Sequence, residues 1–214
     1  MTTTEKMTIH KALCELKTLD ARITKAIEGS VYAFANKHSN TKISGLNVSD
    51  YCAEIKSAYR SATDLITRRD AIKRAVVLSN ATTKVTVGGN EYTIAEAIEM
   101  KNHGIPSRKN LLTKLRNDSI RARRDADANN GDALEMRADE YIRNLYANAD
   151  MKNLSDEVKK MRADFVASQV MEIVDPIGIA AEIERLETEI NAFAVEVDAA
   201  LSVSNALTEI TVEY

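Results

Sequence analysis

Ile179-Ala-Ala-Glu-Ile183-Glu-Arg-Leu186-Glu-Thr-Glu-Ile190-Asn-Ala-Phe193-Ala-Val-Glu-Val197-Asp-Ala-Ala200 places its larger apolar residues alternately four and three positions apart. Spacing of that kind is the a/d pattern of a helix that packs along a seam, and here it holds for about three heptads. The candidate seam residues are Ile179, Ile183, Leu186, Ile190, Phe193 and Val197. The outer positions carry Glu182, Glu184, Glu187, Glu189 and Glu196 against a single base, Arg185. Such a helix has to lie on partner helices, in the same chain or in another copy. The fold class follows: mainly α, with long antiparallel helical hairpins or coiled coil.

Composition agrees. The chain has 214 residues, with 7 Gly, 2 Pro, no Trp and 5% aromatics. Few breakers favour long helices, and few aromatics leave Leu, Ile, Val and Ala to build the core. A net charge of −3 provides no global field toward nucleic acid or anionic lipid.

Working outward, periodicity predicts a first helix from about Glu5 to Asn36, with Ile9, Leu13, Leu16, Ile23, Ile27 and Phe34 on one stripe. A polar loop over Lys37 to Asn47 follows, and Ser49 is the expected N-cap of a second helix ending near Leu78. Its stripe is Ile55, Tyr59, Ala62, Ile66, Ile72 and Val76. Residues 83–93 alternate around Gly88-Gly89-Asn90, the signature of a β-hairpin. Thr93-Ile94-Ala95-Glu96 is a capping box for a short helix, which His103-Gly104-Ile105-Pro106 is expected to stop near Asn102. A third long helix runs from Ser107 to Asn129. Leu134, Ala138, Tyr141 and Leu145 then share a seam, and Ser155 caps a helix carrying Val158, Met161 and Phe165. The expected organisation is a single elongated helical domain over 1–214: a helical hairpin at 5–79, a β-hairpin at 83–93, helical segments over 95–203 and a strand at 207–213.

One internal echo stands out. Leu78-Ser-Asn-Ala-Thr-Thr-Lys-Val-Thr-Val87 matches Val203-Ser-Asn-Ala-Leu-Thr-Glu-Ile-Thr-Val212, and in each a helix passes into an alternating segment. Equivalent corners would set the last strand beside the hairpin in a three-stranded sheet, since a lone hairpin is marginal in water.

Catalytic chemistry has little to rest on. His10, His38 and His103 lack ligand partners at zinc-like spacing, and Gly88-Gly89 lacks the Gly-Lys-Ser/Thr of a phosphate loop. No cofactor, metal or enzyme activity is expected. Cys14 and Cys52 fall tens of ångströms apart in a hairpin of the first two helices, so free thiols and a reducing compartment are expected. No apolar run approaches a membrane span, and no membrane partner is expected.

Charge is segregated. Lys101 to Arg124 holds eight bases and one acid; Asp175 to Tyr214 holds nine acids and one base. The basic residues Arg116, Arg121, Arg123 and Arg124 are candidates for contact with a polyanion or with the acidic last helix. The complementary signs and the absence of interleaved aromatics favour the helix over nucleic acid.

Two resemblances bear on origin. The first helix (Leu13, Leu16, Leu19, Arg22, Ile23), Leu78-Ser-Asn-Ala-Thr-Thr and Tyr92-Thr-Ile-Ala-Glu-Ala-Ile98 resemble the helical septicolysin-like family over about half the chain, which implies no activity. Residues 79–98, and the run from Val174-Asp-Pro176 through Leu201 to Ile210, are similar to tailed-bacteriophage proteins. This second resemblance implies a phage coiled-coil protein, located in the virion or the host cytoplasm. The expected function is a non-enzymatic homo-oligomer, a virion component or an assembly factor, with other phage or host proteins as further partners. The alternatives are an intracellular inhibitor that sequesters a host defence or regulatory factor, and a nucleic-acid binder using residues 101–124.

Overall fold

The computed structural model describes residues 3–146 and 151–214. Helix accounts for 72% of the described residues, as the periodicity requires. Where one elongated domain over 1–214 was expected, chain contacts group into two compact units: Met1–His103 with Ala192–Tyr214, and Gly104–Asn191.

The first unit opens with a strand, β1 (Thr4–Thr8), not with helix. Met7 points inward and is buried, and the Thr8 hydroxyl accepts the Lys11 N–H at 3.2 Å, so α1 (Ile9–Glu28) begins at Ile9. It ends at Gly29, eight residues before the expected loop, because the Gly29 N–H closes the last turn onto Lys25 and Ile27. Phe34, placed by periodicity on the α1 stripe, lies beyond the helix and meets Tyr51 edge-on at 5.0 Å. A two-residue ladder, β2 (Lys42–Ile43) with β3 (Leu46–Asn47), leads into α2 (Val48–Thr82). The cap of α2 is Asn47 instead of Ser49, and the helix runs on past Leu78. The expected stripes supply most of the packed face: Ile9, Ala62, Ile72 and Val76 are buried and Leu13 and Leu16 pack against the core. Ala12 and Leu19 of α1 are buried as well, whereas Tyr59 is 61% exposed.

The hairpin forms where expected: β4 (Lys84–Val87) pairs with β5 (Asn90–Thr93). Gly88 and Gly89 have φ of 57° and 78°, the two positive values that a type I′ turn demands. Gly88 is also confined: a Cβ there would sit 3.3 Å from the Phe193 main-chain nitrogen. The Thr93–Glu96 capping box opens α3 (Ile94–Glu99).

The last strand, β6 (Glu209–Glu213), does not join this hairpin. It pairs antiparallel with β1, Thr4 opposite Glu213 and Thr8 opposite Glu209. The three-stranded sheet is therefore replaced by separate two-stranded ladders among the described residues. The sequence echo nevertheless marks a repeated corner. Thr83 N–H donates to the Ser79 carbonyl at 2.8 Å, and the Thr83 carbonyl accepts Ile94 N–H at 2.9 Å. Thr208 N–H donates to Ser204 at 2.8 Å, and its carbonyl accepts Ile9 N–H at 2.9 Å. Thr93 lies opposite Lys84 as Thr8 lies opposite Glu209. Buried Val87, Ile94 and Ala97 have counterparts in buried Val212, Ile9 and Ala12. The repeat includes β1 and the start of α1, which is why β6 finds β1.

The core of this unit joins Met7, Ile9, Ala12, Leu19, Ile72, Val76, Ile210 and Val212. At its edge Arg68 donates to Glu15 (Nε–Oε1 2.5 Å), to Glu5 (2.9 Å) and to the Tyr214 hydroxyl, and its guanidinium covers the Tyr214 ring at 4.8 Å.

After α3 the chain does not stop. Met100–Gly104 forms a π-turn followed directly by α4 (Ile105–Asn129), with Pro106 in the first turn of α4. In the second unit α4 is followed by α5 (Gly131–Leu145) and α6 (Asp156–Gln169). The buried seam of α5 is Leu134, Ala138 and Ile142; Tyr141 instead stacks on Phe165 at 4.5 Å, and Leu145 is exposed. Ser155 caps α6 as expected. The last helix, α7 (Ile179–Leu207), contributes residues to both units.

Candidate interaction surfaces

The heptad of α7 has a buried centre. Leu186, Ile190, Phe193 and Val197 are all buried, while Ile179 and Ile183 at its start are half-buried. In the first unit Phe193 meets Tyr92 edge-on at 5.8 Å, and Glu196 accepts the Gly88 N–H at 2.7 Å. In the second unit the acidic flank does meet the basic helix, through Arg108 to Glu189 at 2.6 Å and through Arg116 to Glu187. Arg121 turns to Asp118 on its own helix at 2.8 Å, and Arg124 lies 3.6 Å from Asp125. Arg123 forms no ion pair among the described residues. Of the four candidate bases, then, only Arg116 reaches the acidic helix, and it is joined there by Arg108.

α7 also carries an apolar face on its other side. Val195, Ala199, Val203 and Leu207 recur every four residues, and Val195 and Leu207 are 80% and 75% exposed. The acids nearest that face are already engaged: Asp198 pairs with Lys101 at 2.5 Å, and Glu196 holds Gly88. By the repeat, the matching positions of α2 are Asp70, Arg74, Leu78 and Thr82. Half of those are charged, so the corner folds without an apolar stripe there. The i, i+4 signal lies in the sequence beside the heptad, but it is overshadowed by the stronger seam.

No family model matches the chain, and no curated protein and no solved structure is significantly similar to it. Function has to be argued from these surfaces.

Reactive groups are dispersed. Among the described residues no three His, Cys, Asp or Glu side chains are grouped to hold a metal. Cys14 Sγ lies 3.8 Å from His10 Nε2, one turn apart on α1, but both are exposed and no third group orients the imidazole. His103 and Glu99 stand 4.0 Å apart on an open surface. A concavity of about 610 Å³ along α2 is lined by Ser57, Arg60, Ser61, Asp64, Arg68 and Tyr214, among others, with no nucleophile–base pair in it. Among the described residues no helix is long and apolar enough to cross a membrane.

The second exposed apolar surface belongs to the second unit. Val170, Met171, Ile173, Val174 and Ile177 all face solvent, Val174 at 86%. This run lacks helical or strand periodicity, so no pattern in the sequence marks it.

Proposed function

We propose that the chain is a non-enzymatic, self-associating helical protein of a bacteriophage, acting as a virion component or in particle assembly. The observation that carries this reading is the exposed apolar stripe Val195, Ala199, Val203 and Leu207 on the C-terminal part of α7, which the chain itself leaves uncovered. An exposed apolar stripe on a helix that is already buried along another face marks an interaction surface, and a closed assembly of copies would cover it. The Arg108 and Arg116 pairs support a structural role for the basic helix, because two of its cations are held by α7 carboxylates. The phage part of this reading rests on the resemblance of residues 79–98 and 174–210 to tailed-phage proteins alone, and no matched relative adds to it.

The test is the solution mass of the wild type and of Val203→Asp by light scattering over a wide concentration range, with a search for the protein in purified particles. A wild type that associates, a variant of lower mass, and presence in particles are the expected results. A wild type that stays monomeric and is missing from particles would overturn the proposal. An associating protein missing from particles would point to an assembly factor or to an inhibitor of a host factor.

A further inference from the structure

The turn between α4 and α5 is Asn129-Asn130-Gly131, and it holds the only Asn-Gly step in the chain. Asn130 is extended (φ −97°, ψ −166°) and stands at the N-cap position of α5, yet its side chain does not cap that helix. It is engaged elsewhere. Asn130 Oδ1 accepts the Met171 N–H at 2.9 Å, and Asn130 Nδ2 donates to the Met171 carbonyl at 2.9 Å. One side-chain amide thus clamps the main chain just beyond α6. The first-turn amides of α5 go without the cap that an asparagine at this place ordinarily supplies. Gly131 is exposed, has a φ of 52°, and a Cβ there would meet nothing.

These are the parts of an intramolecular acyl transfer. The Gly131 nitrogen closes a five-membered ring on Asn130 Cγ, and no side chain at residue 131 stands in its way. Two features favour the step. The nitrogen reacts as its anion, and the Gly131 N–H lies in the first turn of α5, where the helix dipole stabilises negative charge. The Met171 N–H already donates to Oδ1, the oxygen that becomes an oxyanion when Cγ turns tetrahedral. Hydroxide takes the Gly131 proton and the N–Cγ bond forms. The Cγ–Nδ2 bond then breaks as that nitrogen takes a proton from water and leaves as ammonia. Water opens the cyclic imide at either carbonyl, giving aspartate or isoaspartate with no change of oxidation state.

We propose that Asn130 is a site of spontaneous modification by this route, and that the product carboxylate leaves Met171 and caps α5. The exchange of partners follows from the hydrogens available. A carboxylate has none to give, so the bond to the Met171 carbonyl is lost and two acceptor oxygens are left facing each other. The same carboxylate at the N-cap accepts from the first-turn amides of α5 and places its charge at the positive end of that helix. As an amide the side chain ties the run after α6 to the α4–α5 turn. As a carboxylate it serves α5 and lets that run go. None of this depends on self-association.

The experiment uses the full chain, incubated for weeks in mildly alkaline buffer and digested at intervals for peptide mapping by mass spectrometry. Residue 130 is expected to convert ahead of every other asparagine, its peptide gaining the mass difference between a hydroxyl and an amino group and splitting into aspartate and isoaspartate forms. Hydrogen exchange on the aged protein is expected to show a loss of protection at the Met171 N–H and a gain in the first turn of α5. Freshly prepared Asn130→Asp should show that same pattern at once, with the helical circular dichroism of the wild type. Asn130→Gln should show no mass change at this position, because its longer side chain closes a six-membered ring far more slowly. A residue 130 that stays asparagine in the folded chain while it converts in the urea-unfolded one would overturn the modification. An Asn130→Asp chain that keeps the Met171 N–H protected would overturn the exchange of partners.

Discussion

Thr83 and Thr208 stand at the same point in two copies of one corner, each carbonyl taking the N–H of the isoleucine that opens the neighbouring helix, at 2.9 Å in both. The two copies differ three residues later. Beyond Thr93 the third helical residue is Glu96, which completes a capping box; beyond Thr8 it is Lys11.

That difference predicts a pH dependence. Glu96 accepts the Thr93 N–H at 2.7 Å and then the Thr93 hydroxyl, and these bonds hold its carboxyl below the usual glutamate value of 4.5. A carboxyl whose folded pKa is depressed stabilises the fold above the unfolded value and loses that effect as pH falls through the folded one. Glu96→Gln should therefore melt below the wild type at pH 7, and the gap should close as pH drops below about 4.5. Thr93→Ala and Thr8→Ala should each cost about 1 kcal/mol in urea denaturation.

Arg68 gathers Glu5, Glu15 and Tyr214 at one edge of the first unit's core, and the Glu15 hydrogen bond first, then Glu5, holds it firmly protonated. Its side chain is only 21% exposed. Replacement by Met leaves Glu15 without its cation and Glu5 with Lys11 alone, at 3.2 Å, and a loss of about 1.5–3 kcal/mol is expected by chemical denaturation. Arg68→Lys should recover only part, because an ammonium cannot reproduce the guanidinium fork.

The two sides of α7 should respond oppositely to the same change. Ile190 is 5% exposed, and Ile190→Asp should cost more than about 3 kcal/mol through lost burial and a buried charge. Val195→Asp, on the outward face, should leave protomer stability within about 0.5 kcal/mol. Equal melting curves for the two variants would show that the seam is not a core.

For the basic helix, Arg121→Gln, Arg123→Gln and Arg124→Gln together should barely change stability, since none of the three reaches α7. Arg108→Gln with Arg116→Gln should loosen the second unit by about 1 kcal/mol, less in high salt. Arg116→Glu combined with Glu187→Lys should restore part of what Arg116→Glu removes. Tight, salt-sensitive nucleic-acid binding that the triple variant abolishes would instead make those three arginines a binding patch.

What could be read from the sequence was local. The Gly88–Gly89 turn, the Thr93–Glu96 box and the α7 heptad each declare themselves within a few turns of chain. β1 could not be read that way: it is five residues long and its partner is the far end of the chain. The clue is present, since Thr8-Ile9-His10-Lys11-Ala12 parallels Thr93-Ile94-Ala95-Glu96-Ala97, but this half of the echo shares fewer identities than the helix-to-strand half. Gly104 and Pro106 looked like a stop because a π-turn has no sequence signature of its own. Charge counting found the right pair of helices but not the right arginines. Which of Arg108, Arg116, Arg121, Arg123 and Arg124 faces α7 depends on helix phase, and a count carries none.

The β1–β6 ladder has one more consequence. Its last rung is Thr3 with Tyr214, each N–H donating to the other's carbonyl at 2.8 and 3.1 Å. That is the closing pair a two-residue hairpin turn requires, so an Asn-Gly link from Tyr214 into Thr3 would close this ladder as Gly88–Gly89 closes the other, with two rungs more. New ends could then be opened at the Gly88–Gly89 turn. Such a circular permutant would keep every rung of both ladders, and the order of the helices along the gene would become a matter of where the loop is cut.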